Sequence, residues 1–205
     1  MERDFTLQMY RELCQSLRHN NFETSRVDEF IKNRDSKNKR AIIRHDVDKK
    51  PYNALRIAKI ENELGIESTF YFRTTKEVFI PEIISEISNL GHEVGYHYEV
   101  LCKSEGNYDV AIKLFEEEIK RFRQIVAINT ICMHGSPLRK WRDSDLWNKY
   151  ELSDFGVVAE AFTSLDYNQI YYYTDTGRRW DGDIYNVRDK VNTGLKIKRA
   201  RSTFQ

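Results

Sequence analysis

The chain reads as an α/β protein built on parallel strands, and three observations carry that reading. Short runs rich in aromatic, β-branched and Thr residues alternate with amphipathic segments of helix length. Pro opens and Gly closes two of those segments. Polar residues of metal-binding type gather at the ends of successive strand runs. Strands alternating with helices imply parallel pairing through right-handed crossovers, which either a barrel or a doubly wound sheet satisfies.

Taken in order, Phe5, Met9, Leu13 and Leu17 recur every four residues and mark one face of a helix, which Asn20 and Asn21 break. A short helix is expected over Val27 to Ile31. AIIRHDVD (41–48) is a strand ending in charge, and Pro51 opens a helix with Ala54, Leu55, Ile57 and Ala58 towards the core and Gly65 at its end. STFYFR (68–73) is a strand and PEIISEISNLG (81–91) a helix between Pro and Gly. HEVGYH (92–97) is a strand. The segment 107–122 is a helix with Ala111, Leu114, Phe115, Ile119 and Phe122 on its apolar side. INTICMHG (128–135) is a strand, 142–150 a short helix, and 155–162 and 169–174 later strands. The simplest organisation is one domain over 1–205: a helical cover (1–39), an α/β core (40–195) and a basic tail (196–205).

The 205 residues suit one domain, and 40% hydrophobic with 32% charged residues is a globular composition. A formal net charge of +1 supplies no global field for nucleic acid or anionic membrane. Lys196, Lys198, Arg199 and Arg201 read as a solvated end rather than a nucleic-acid site. No run approaches the length of a membrane span, and the amino-terminal residues do not resemble a signal peptide, so a cytoplasmic location is expected. Cys14, Cys102 and Cys132 form no CxxC pair and indicate neither a disulfide framework nor a thiolate zinc site.

Ligands of parallel α/β folds bind at the carboxyl ends of the strands. Those ends carry Arg44-His45-Asp46-Val47-Asp48, Arg73, His97-Tyr98-Glu99 and His134-Gly135. Three of the five histidines thus lie at strand ends. Asp and neutral His are ordinary ligands of zinc and similar divalent ions, and a catalytic site needs about three of them with one position left open. Asp48, His97 and His134 form such a set. Asp46 can serve as a base beside the metal only if it shares their rim. Taken alone, Asp46 and Asp48 are more often turn or cap residues before Pro51, and His97 alone is more often packed than ligating. Arg44, Arg73, Glu99 and Trp180 are candidate substrate contacts. Glu99 is alternatively a partner of a ligand or an exposed loop charge. His92, at the opposite end of its strand from His97, is expected to be structural, and His19 to face solvent. The stretch 171–190, with Trp180 among Arg178, Arg179, Asp181 and Asp183, suits a sugar surface or a salt-bridged loop.

The segments RHDVDKKPYNALRIAKIENELGIESTFYFR (44–73) and GHEVGYHYEVL (91–101) resemble the polysaccharide deacetylase family, metal-dependent carbohydrate esterases of chitooligosaccharide-deacetylase type. Asp46 and Asp48 match its acidic pair, Ser68 to Phe72 its second strand, and Gly91 to His97 its second motif. The resemblance implies a distorted (β/α) barrel of parallel strands. It implies one divalent ion, zinc, held by Asp48 and His97, with Asp46 as base, and hydrolysis of an N- or O-acetyl group on a sugar of bacterial surface-glycan pathways. The form RHDVD resembles a branch of the family linked to those pathways. Three departures bear on activity. Leu101 stands where the family has a second metal-binding His, so His134 is the substitute by position. The third motif is altered around Met133 to Pro137, and no His follows His134 to act as the general acid. The chain resembles a shortened member, with an incomplete barrel. A catalytically silent domain that binds carbohydrate or metal is the alternative.

Overall fold

The computed structural model describes residues 4–34, 38–135, 139–175, 178, 180 and 202–203. The basic tail, apart from 202–203, and the residues Arg179, Asp181, Asp183, Ser136 and Pro137 lie outside them.

The amino-terminal cover is α1 (Leu7–His19), whose N-cap Thr6 accepts from Met9 N, then β1 (Glu23–Ser25) and α2 (Val27–Lys32). Phe5 has a left-handed φ of 57° and stands outside the helix its spacing suggested. The expected first strand divides in two. β2 (Arg40–Ile42) pairs in parallel with β1, and β3 (Arg44–Val47) belongs to the main sheet. Ile43 is the residue at which the chain changes sheets. Strand β1 was not expected, because three residues are too few to show alternation.

Then follow α3 (Pro51–Glu63), β4 (Thr69–Phe72), α4 (Pro81–Asn89) and β5 (Glu93–Tyr98). After these come α5 (Val100–Lys103), α6 (Tyr108–Arg123), β6 (Thr130–Met133) and β7 (Ala159–Glu160). The main sheet runs β3-β4-β5-β6-β7, all parallel. Its order never reverses, whereas a doubly wound sheet contains a reversal. Successive right-handed crossovers in one direction put their helices on one face.

Strand alternation sorts the core accordingly. Val47, Phe70, Phe72, Val94, Tyr96 and Tyr98 pack against the helices with Ala58, Ile84, Phe115 and Phe122. The other face carries Tyr71 and Cys132, which pack with Val27 of α2 and Ala161. On that face Gly95 lies beneath the ring of Tyr71: a Cβ at 95 would stand 2.2 Å from Tyr71 Cε1 and 2.8 Å from Thr130 O. The helix-side face also ties down the cover. Glu61, fully buried, accepts from Tyr10 of α1, from Ser68 at 2.7 Å, and meets His45 Nε2 at 2.9 Å.

The later strands are shorter than expected. In 155–162 only Ala159–Glu160 pairs. The fully buried Glu160 takes over the ladder with its carboxylate, accepting from Met133 N at 2.8 Å and Phe162 N at 2.9 Å, and so bends the chain away. The Tyr-rich run 169–174 is not a strand. Asp166 caps a turn before it, accepting from Asn168 N, and Tyr172 packs edge-on against Tyr167 at 5.4 Å. The expected helix at 142–150 is a 3-10 turn, Asp143–Asn148, followed by another at Leu152–Phe155. No described helix is long and apolar enough to cross a membrane.

Candidate metal centre

At the carboxyl end of the sheet three donors converge. Asp48 follows β3, His97 is the penultimate residue of β5, and His134 follows β6. One atom of each lies within 4.8 Å of the others. Asp48 Oδ1 stands 3.5 Å from His97 Nε2 and 3.2 Å from His134 Nε2. The two rings meet edge-on, their centroids 5.2 Å apart. Despite these short distances Asp48 Oδ1 is buried with no hydrogen bond. Both imidazole Nε2 atoms thus face the same carboxylate oxygen, off the line a hydrogen bond would take.

Each donor is fixed from behind. His97, 3% exposed, engages Cys132 O through Nδ1 at 3.0 Å. The His134 N–H donates to Tyr98 O at 2.7 Å, which prolongs the β5–β6 ladder by one residue. Its Nδ1 faces Glu99 Oε2 at 3.3 Å. Asp48 N donates to Asp46 O at 3.1 Å, a tight turn just past the strand. That turn leaves both carboxylates on the rim: Asp46 groups with His97 and Cys132 within 4.8 Å, as Asp48 does with His97 and His134.

The charges respond to this crowding. Burial opposes ionisation of Asp48, but His134 and His97 beside it outweigh burial and hold its carboxyl far below the usual range. Burial likewise disfavours the His134 imidazolium, yet Asp48 and Glu99 on either side raise its pKa to about 9.

Of the other candidates, Asp46 is exposed, and Arg44 Nη2 donates to its Oδ2 at 3.1 Å and to Tyr172 OH at 3.4 Å. Arg73 and Glu99 face each other at 2.7 Å. Trp180 lies apart from the donors, tilted against Phe5 at 5.4 Å, with its Nε1 donating to Thr203 Oγ1 at 3.3 Å. A cavity of about 1800 Å³ is lined by the donors and by Tyr167, Tyr171 and Trp180. His45 points to the helix side and leaves the rim, as its odd position beside Asp46 dictates. His92 is structural: buried, with Nε2 on Ala58 O at 3.0 Å and Nδ1 on Ser68 at 3.1 Å. His19 is exposed, as expected. Leu101 is sealed in the core, 1% exposed, so this position contributes no side chain to the rim. Cys132 Sγ, beside His97 and Asp46, was not anticipated, although its place two residues before His134 on one strand puts it on the same face.

No family model matches the chain, and no curated protein matches it. Among solved structures it is similar to a Streptococcus pyogenes deacetylase, PplD, in complex with acetate. The TM-score is 0.51 at 10% identity, and the match covers 61% of this chain and 61% of that one. The fold is therefore deacetylase-like.

Proposed function

We propose that this chain is a metal-dependent hydrolase that removes an acetyl group from an N- or O-acetylated sugar, in bacterial surface-glycan metabolism, on a distorted (β/α) barrel. The observation that carries the reading is the buried, unbonded Asp48 Oδ1 facing two imidazole Nε2 atoms. A carboxylate with two imidazoles fits zinc, with a position open for water or substrate. Asp48, His97 and His134 would hold the ion. When bound, it supplies Lewis-acid polarisation of the acetyl carbonyl and a water of lowered pKa.

The chain's own groups do the rest. Arg44 holds one oxygen of Asp46, and the other can accept a proton from water on the rim. The tyrosines and Trp180 along the cavity offer flat faces for a sugar. The similar Streptococcus deacetylase supports the reaction class through fold alone. A second reading, a domain that binds carbohydrate or metal without turnover, draws support from the Arg44–Asp46 pair, which engages the would-be base.

The test is metal content after purification without chelator, with Asp48→Ala beside the wild type, followed by acetate release from N-acetylated chitooligosaccharides. About one zinc per chain, lost in the variant, together with acetate release supports the enzyme. Zinc without release supports the silent domain. No zinc, and no thermal stabilisation by zinc, cobalt or nickel, refutes both metal readings.

A further inference from the structure

We propose that Glu99 is a positioning residue that sets which nitrogen of His134 faces the cation, with Arg73 holding Glu99 in place; this rests on the reading of Asp48, His97 and His134 as ligands. Glu99 leaves β5 directly after Tyr98 and forms the N-cap of α5, so its backbone is fixed at both ends. Its Oε1 accepts from Arg73 at 2.7 Å and lies 3.6 Å from Lys103 Nζ, while its Oε2 faces His134 Nδ1 at 3.3 Å. Arg44 and His134 line the cavity, whereas Arg73 and Glu99 do not, so the Arg73–Glu99 pair lies behind His134 rather than in the substrate space.

An imidazole can bind a cation only through the nitrogen that lacks a proton. His97 meets the condition through Cys132 O, which takes the Nδ1 proton and leaves Nε2 for the site. His134 has no backbone acceptor there: its Nδ1 is buried with no hydrogen bond, and the Glu99 carboxylate is the group it faces. A carboxylate at Nδ1 keeps the proton on that side, fixes the ring plane and raises the basicity of Nε2. Arg73 decides which Glu99 oxygen is available, because its guanidinium can only donate.

The geometry makes the isosteric change informative. In Glu99→Gln, Arg73 still demands an acceptor, so the amide oxygen turns to Arg73 and the NH2 turns to His134. That NH2 donates to Nδ1 and drives the ring proton to Nε2, where it points at Asp48 and competes with a cation. A residue that served only packing would tolerate Gln.

Zinc affinity, read by competition with a chromophoric chelator, is the measurement, on wild type, Glu99→Gln, Glu99→Asp and Arg73→Met. Glu99→Gln is expected to lose about 10–100-fold in zinc affinity, with Arg73→Met losing less, while metal-free Glu99→Gln still unfolds cooperatively. Should Glu99→Gln fail to fold, Glu99→Asp withdraws the carboxylate by one methylene and is expected to lose affinity too. Wild type that takes up no zinc overturns the cation site and this proposal together. Wild type that binds zinc while the folded Glu99 variants bind it equally well overturns this proposal alone. A rise in KM for an acetylated sugar with zinc affinity intact makes Glu99 a substrate contact and likewise overturns it.

Discussion

Replacing Gly95 by Ala adds one methyl group to the buried face of β5, and the structure allows its cost to be worked out. The new Cβ would lie 2.2 Å from Tyr71 Cε1, 2.4 Å from Tyr71 Cδ1 and 2.8 Å from Thr130 O. Carbon atoms pack at about 3.5–4.0 Å, so something must move. The Tyr71 ring is fully buried and its hydroxyl is bonded to Thr130 Oγ1 at 2.6 Å, so it has no free direction. Thr130 O is backbone. Overpacking of this kind costs about 1–3 kcal/mol, and two immovable neighbours put Gly95→Ala at the upper end. For a chain of this size that lowers Tm by roughly 5–10 °C. Thermal unfolding followed by circular dichroism reads it, and the double-mutant cycle with Tyr71→Ala should return about 2 kcal/mol of coupling, because the methyl then has room. Gly95→Ala melting with the wild type, or effects of the two changes that simply add, would refute the steric account.

Two other expectations concern buried titratable groups. Burial and nearby Asp28 raise the Glu93 pKa from 4.5 to about 7. Because the folded state binds this proton more tightly, its contribution is fully present below about pH 4.5 and is lost as pH rises through about 7, a change of about 3 kcal/mol at most. Urea unfolding of Glu93→Gln should show a flatter pH profile between those limits than wild type; identical profiles would remove Glu93 as the cause. All three cysteines are buried, and burial raises the Cys14 and Cys102 thiols to about 11 and about 12. A disulfide reagent at mild alkaline pH should therefore titrate three thiols in denaturant and react slowly with the native chain, and prompt native labelling would contradict the burial.

The parts of the fold legible in the sequence are those where pattern and packing agree. The runs at β4 and β5 were readable because both of their faces are buried and their lengths suffice, and the helices α3, α4 and α6 because Pro, Gly and apolar spacing coincide. The run at 169–174 misled because Tyr favours strands in general, whereas here a Tyr ring packs instead on a neighbouring ring, Tyr172 edge-on against Tyr167. Glu160 shows the complementary failure: a carboxylate completes the ladder where backbone pairing stops, and composition does not reveal it. At the site, strand-end placement brought Asp48, His97 and His134 to notice, and alternation alone would have turned His45 away. That Arg73 and Glu99 face each other depends on residues 26 positions apart in sequence meeting across neighbouring strands, which spacing cannot show.

Donors drawn from β3, β5 and β6 make the centre a check on strand alignment. Since His97 sits opposite Cys132 in the parallel ladder, sliding β5 by one residue would turn its imidazole to the helix side and bring Tyr96 or Tyr98 to the rim. A cation that needs all three groups would bind the correctly aligned chain and no slipped competitor. At a hundred times its dissociation constant it would favour that alignment by about 2.7 kcal/mol, so a cation proposed for chemistry at the rim would also proofread the sheet beneath it.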